Sequence, residues 1–243
     1  MKDKILVYIG VGIVISLFLF YNLYTPAVHV YGPNGGSKRG SKGKTIFILG
    51  SVHGNEPSGT KACYHLMDYL KNNPPKHKVM IMPMPNPLGY YLDSRYQMKP
   101  FNRDINRNFN NIGKDRVSSI ILEYVRQSDF IVDLHEGYEY HKRFSQSMGS
   151  SIIPNKGKIA LKISNVIVNT VNETIQDEDK KFVVSNFYDK EDCYLPDSLA
   201  CYCNRHKKDY ISIETTGLLT NQQPIQIRVN QHYVLLKGII NYI

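Results

Sequence analysis

The chain has 243 residues, room for one domain or one domain with an appendage, and its 42% hydrophobic content supplies a core that needs no disulfide staples. The net charge of +9 is unevenly spread: residues 1–44 carry six Lys/Arg against one Asp, so over half of the basic excess precedes the folded part. A nucleic-acid binder is expected to carry its basic patch on the folded domain, so no nucleic-acid partner is expected, and no collagen, heptad or low-complexity period is present.

In chain order, the first feature is Ile5–Val28, a run without a charged residue. Its apolar part, Ile5–Leu23, is about 28 Å long as a helix, close to the roughly 30 Å of a bilayer core. Tyr21 and Tyr24 stand near one end, where aromatic side chains favour the membrane interface. Residues 1–28 therefore read as a single-pass transmembrane helix that anchors the chain in a membrane. A cleaved signal peptide is the alternative, although its apolar region is normally shorter and no A-x-A site follows. Lys2 and Lys4 on one flank compete with Lys38, Arg39, Lys42 and Lys44 on the other, so the side of the membrane that bears the domain stays open. Residues 29–44, rich in Gly, Ser and Lys/Arg, read as a flexible basic linker, and residues 45–243 as the catalytic domain.

After the linker, Thr45–Gly50 is a buried-strand pattern, and Pro57–Asn72 places Ala62, Leu66, Tyr69 and Leu70 on one helical face before Pro74 and Pro75 stop it. Val79–Met84 is a second strand, Asp115–Ser128 a helix, Asp129–His135 a third strand and Lys158–Ile175 a long helix. Phe182–Val184 is a short strand, Tyr210–Thr215 another, and Val229–Ile243 a C-terminal helix. Strands alternating with helices predict an α/β domain with a mostly parallel sheet. In such sheets ligands bind beyond the carboxyl ends of the strands, which sorts the polar residues.

His53 and Glu56 follow the first strand in GSVHGNEPSG, and His135 ends the strand DFIVDLH. Two His and one Glu suit a catalytic zinc, which keeps a fourth position for water, so one Zn2+ per chain is expected on His53, Glu56 and His135. Glu214, at the end of the apolar strand YISIET, is costly there unless paired or functional; beside zinc it suits a general base. Asp133 is a candidate to orient a zinc-bound His or, as a strand-internal residue, to face solvent, whereas Glu136 reads as a loop charge, with a substrate contact as the alternative. Two Arg-containing loops lie between, NPLGYYLDSR with Arg95 and FNRDINRNFN with Arg103, Asn106 and Arg107. They fit the two cationic tasks such a site needs, at a developing oxyanion and at a substrate carboxylate.

GSVHGNEPSG, NPLGYYLDSR, DINRNFN, DLHEG and SIETTG, in this order, resemble the zinc carboxypeptidase superfamily, and most closely its compact branch with succinylglutamate desuccinylase and aspartoacylase. The resemblance implies a three-layer α/β/α fold with one catalytic zinc. It implies that His53, Glu56 and His135 are the ligands, that Arg95 polarises the scissile carbonyl, with Arg103 in reserve, and that Glu214 is the catalytic glutamate. Asn106 and Arg107 match the pair that grips the substrate carboxylate. The implied activity is hydrolysis of an amide, either a C-terminal peptide bond or an N-acyl amino acid, in a peptide or small molecule with a free carboxylate. The rival reading is a non-catalytic carboxylate-binding protein on the same fold. Two departures stand out: DINRNFN ends in Asn110 where a proline is more usual, and none of the 18 tyrosines is assigned as the lid, although Tyr188 and Tyr194 lie in a suitable loop. Cys193, Cys201 and Cys203 cluster before the last strand, where one pair would bridge in an oxidising compartment.

Overall fold

The computed structural model describes residues 8, 11–12, 16, 25–33, 43–97, 103–110, 116–185, 195–219 and 221–243. Among the described residues no helix is long and apolar enough to cross a membrane. The expected anchor at 1–28 falls mostly outside the described residues, as does most of the expected linker, so the fold gives the transmembrane helix no support.

The sheet has seven strands: β1 (His29–Tyr31), β2 (Thr45–Leu49), β3 (Lys78–Met82), β4 (Phe130–Tyr138), β5 (Ser151–Pro154), β6 (Val183–Val184) and β7 (Asp209–Leu218). Their spatial order is β1-β3-β2-β4-β7-β5-β6. The four central strands run parallel, β1 is antiparallel to β3, and β5 is antiparallel to β7. The α/β class and the mixed sheet thus agree with the sequence reading. The domain boundary does not. The expected linker began at residue 29, but His29–Tyr31 forms the edge strand, with His29 opposite Ile81 and Tyr31 opposite Val79. Three residues before a glycine carry too little pattern to be read as a strand.

Alternation along each strand divides the core in two. Ile46, Ile48, Val79, Ile81, Phe130, Val132, Leu134, Ile211 and Ile213 face one layer. There they meet α1 (Pro57–Asn72), α4 (Lys158–Asn172) and α6 (Ile225–Tyr242) through Leu66, Ile163 and Leu235. Phe47, Leu49, Met80, Met82, Ile131 and Tyr210 face the other, against Ile121 and Leu122 of α3 (Arg116–Arg126) and Leu199 and Tyr202 of α5 (Leu199–Arg205). The result is three layers, helix on sheet on helix. A short helix, α2 (Pro87–Tyr91), and a 3-10 turn, Ile105–Arg107, sit in the connections that follow β3.

The strand ends build the site. Gly50 continues the β2–β3 ladder through a hydrogen bond from its N–H to Met82 O at 2.9 Å, and Glu56 N–H closes a turn on His53 O at 3.2 Å. Gly54 is required within that turn: a Cβ there would lie 1.9 Å from the Gly89 carbonyl carbon of α2. Pro57 then opens α1, where its missing N–H costs nothing.

Candidate metal centre

His53 and Glu56 on this turn and His135 near the end of β4 converge, each buried and each offering one ligand atom within 4.8 Å of the others. Glu56 stands between the two rings, with Oε1 2.7 Å from His53 Nδ1 and Oε2 3.0 Å from His135 Nδ1. Both Nδ1 atoms therefore face one point. The far nitrogens are tied to carboxylates: His53 Nε2 lies 2.9 Å from Asp104 Oδ1, and His135 Nε2 lies 3.1 Å from Asp133 Oδ2. Such a carboxylate fixes the tautomer and leaves the opposite nitrogen for a metal.

Asp104 owes its position to the 3-10 turn, where its side chain accepts the Asn106 N–H at 2.9 Å. It also accepts from Arg95 Nη2 at 3.0 Å, while Arg95 Nη1 donates to Glu56 Oε1 at 3.1 Å. Asp133 is fully buried, and its Oδ2 accepts from the Tyr210 hydroxyl at 2.9 Å. Asn106 presents its Oδ1 to Leu199 N–H at 2.9 Å, which fixes the amide orientation and turns Nδ2 toward His135 at 3.4 Å. With Nε2–H of His135 directed to Asp133, that last approach is a contact rather than a hydrogen bond.

Glu214 pairs with His135 across the β4–β7 ladder. Its side chain accepts from the Ser212 hydroxyl at 3.2 Å. Burial pushes its carboxyl up to about 7, with Glu56 and Asp133 adding to the rise and His135 opposing it. Burial acts on Glu56 in the same direction, but His53 and His135 outweigh it and hold Glu56 well below the usual carboxylate range. For His53, burial lowers and the Glu56 and Asp104 carboxylates raise, with a net rise; Asp133 and Glu56 lift His135 well above its usual value.

These side chains line a cleft of about 280 Å³. Arg95, Asn106 and Arg107 border it, and Tyr138, Met148, Leu195 and Leu218 give it an apolar wall. All seven residues expected at the site, His53, Glu56, Arg95, Asn106, Arg107, His135 and Glu214, thus meet in one place. Arg103, the reserve arginine, is exposed and outside the cleft. Tyr188 and Tyr194 lie outside the described residues, as does Cys193; Cys201 is disulfide-bonded, while Cys63 and Cys203 are free and buried. Sequence reasoning passed over Asp104, although the first residue of DINR was its signal. It also misplaced Glu136, which is not a loop charge but a buried strand residue paired with Arg228.

The donor set fits a divalent cation. Glu56, Asp104, Asp133 and Glu214 gather around the two imidazoles, and Arg95 is bonded to Glu56 and Asp104. Asp133 Oδ1 is buried without a hydrogen-bond partner among the described residues. Two imidazole nitrogens with one carboxylate form a ligand type used for such a cation, and the tie of each far nitrogen to a carboxylate leaves its Nδ1 to bind it.

Residues 42–148 match the family model of the succinylglutamate desuccinylase/aspartoacylase catalytic domain, which bears out the family resemblance carried by the motifs. No curated protein matches the chain in sequence. Among solved structures, the product-bound cell shape determinant protein Csd4 of Helicobacter pylori is similar at a TM-score of 0.72 and 19% identity, over 90% of this chain and 55% of that one. The form of Csd4 bound to mDAP, described as a D,L-carboxypeptidase, is similar at 0.71 and 19%, over 88% and 54%. A proposed metallopeptidase from Shewanella amazonensis is similar at 0.60 and 17%, over 89% and 86%. At these identities the likeness is one of fold, and the chain spans about 55% of the length of the Csd4 chain.

Proposed function

We propose that the chain is a zinc-dependent amide hydrolase, carboxypeptidase-like, that cleaves a C-terminal peptide bond or an N-acyl amino acid. The observation that carries this reading is the convergence of His53, Glu56 and His135 with Glu214 beside them at the carboxyl end of the sheet. A zinc ion held by the three ligands supplies Lewis acidity to a carbonyl oxygen and lowers the pKa of a water. Glu214, buried beside the ligands, accepts a proton from the attacking water and returns it to the leaving amine. Arg107, whose one described side-chain hydrogen bond is from Nη1 to Asn106 O at 2.7 Å, is the guanidinium offered to a substrate carboxylate. Arg95, already bonded to Glu56 and Asp104, steadies the ligand set and presents positive charge at the cleft for the developing oxyanion. The D,L-carboxypeptidase description of Csd4, and its capture with mDAP and with a tripeptide, support a substrate with a free carboxylate. The apolar wall suits an uncharged side chain or acyl group in the same substrate.

The carboxylate-binding alternative uses the arginines but leaves Glu214 without a purpose. The test is a screen of peptides and N-acyl amino acids with the zinc-loaded full chain beside Glu214→Gln. Turnover in the first and its loss in the second is the expected result. Binding of carboxylates without turnover by either would favour the alternative.

We also propose that the apolar N-terminal run anchors the chain in a membrane. Support comes from the length of that uncharged run. Thr25 Oγ1 accepts from Arg116 Nη2 at 3.1 Å, at the start of α3, and His29 lies beside Ile81, toward the carboxyl end of the sheet. An anchor ending there holds the cleft end of the domain close to the bilayer. Alkaline extraction of membranes from cells that make the full chain tests it: retention in the pellet agrees, and release counts against it.

A further inference from the structure

Glu136 follows a proposed ligand directly, yet strand alternation sends its carboxylate to the opposite side of β4, toward α1 and α6. There Oε1 accepts the Ser58 N–H at 2.6 Å, and Oε2 accepts from Arg228 Nη1. Arg228, on α6, is held in turn by its Nε–H to Gln223 O at 2.9 Å. Both partners are buried. The backbone makes room for them, because a Cβ at Gly217 would lie 1.6 Å from Glu136 Oε2.

Ser58 is the second residue of α1, and Pro57 before it has no N–H, so the Ser58 N–H is the first that the helix must satisfy. The N-cap side chain ordinarily does this. Here the N-cap is Glu56, which makes no side-chain cap because its carboxylate is turned into the site. The Glu136 N–H meanwhile donates to Glu56 Oε2 at 3.0 Å. One residue thus holds the start of the helix and the carboxylate that the helix start bears.

We propose that Glu136 and Arg228 are positioning residues for Glu56: Glu136 caps α1 in place of its own N-cap, and Arg228 fixes Glu136, so that the Glu56 carboxylate is free to serve as a metal ligand. This rests on the metal site of the proposed function. An ordinary buried ion pair would stabilise the fold without acting on the metal. The test measures zinc affinity by chelator competition and the cobalt(II) absorption spectrum of the full chain, for wild type, Glu136→Ala and Glu136→Gln. Glu136→Ala is expected to weaken zinc binding about 10–100-fold and to alter the cobalt spectrum. Glu136→Gln, which keeps an acceptor for Ser58 N–H, regains part of the affinity. A lowered Tm with wild-type affinity and spectrum in Glu136→Ala overturns the proposal. Should that variant fail to fold, Arg228→Lys, which keeps the charge but loosens its grip on Glu136, carries the same comparison with the same two readings. If wild type binds neither metal, the hydrolase reading falls and this one with it; if wild type binds and the variants match it, only this one falls.

Discussion

His135 and Glu214 are partners on adjacent parallel strands, and both line the cleft. The register of one strand pair therefore sets a proposed ligand beside a proposed proton acceptor. A slip by one residue would send either side chain to the opposite face of the sheet.

This pairing separates metal binding from chemistry. Glu214→Gln keeps the size of the side chain and leaves His53, Glu56 and His135 untouched. The zinc content is expected to stay at the wild-type level while kcat falls by about 10²–10⁴-fold. Parallel metal analysis and steady-state kinetics check this. Loss of metal in the variant would show that Glu214 acts as a ligand rather than as a base.

Asp104 bonds both His53 and Arg95. Its removal in Asp104→Ala frees the His53 ring and loosens the arginine. Zinc affinity is expected to fall by about 10–100-fold, measured by chelator competition. An unchanged affinity would mean that the turn alone aims His53.

Arg107 is expected to act in substrate binding. In Arg107→Ala, KM for a substrate with a free carboxylate rises about 10–100-fold, the loss of a charge-assisted hydrogen bond of about 1.5–3 kcal/mol. An amidated analogue shows little change. Equal losses for the acid and the amide would remove the carboxylate contact from the account.

The pH dependence follows from the raised pKa values. In the metal-free protein Glu214 is pushed up to about 7 from 4.5, and His53 and His135 are raised from 6.5. Each binds its proton more tightly folded than unfolded. The stability this confers is complete below the unfolded value and is lost as pH rises through the folded one. Glu56 and Asp104 are held low, so they act in the opposite sense only in acid, near and below their unfolded values. Glu214 therefore makes metal-free protein less stable as pH rises from 4.5 to about 7, and His53 and His135 do so from 6.5 upward. Zinc competes with the protons on its ligands, so the stabilisation it adds grows with pH. Calorimetry of both forms across that range reads the two slopes, and a metal-free Tm rising steadily with pH would contradict them.

Much of the site was legible because its ligands stand where two patterns meet. His53 and Glu56 sit in a Gly/Pro-flanked turn after one apolar strand, and His135 ends the apolar run of another. Glu136 was not legible. Nothing in DLHEG shows that β4 continues to Tyr138, which makes the next residue a strand residue facing the other helical layer. The apolar wall was hidden for another reason: Met148 and Leu195 come from separate connections and Leu218 from the end of β7, and only the fold brings them together. Strands β1 and β5, of three and four residues, were too short to show a period.

The edge strand also moves the domain boundary. A chain beginning at residue 45 lacks β1 and bares the edge of β3, while one beginning at 25 keeps the pairing. The shorter chain is expected to melt lower, at about 2–4 °C for each kcal/mol lost in a domain of this size. Equal Tm values would return residues 29–31 to the linker.

The most direct measurement is the metal content of the purified full chain by elemental analysis, beside His135→Ala. The account predicts about one zinc per chain in the first and a large loss in the second. No zinc in the wild-type chain, even after reconstitution, would contradict it.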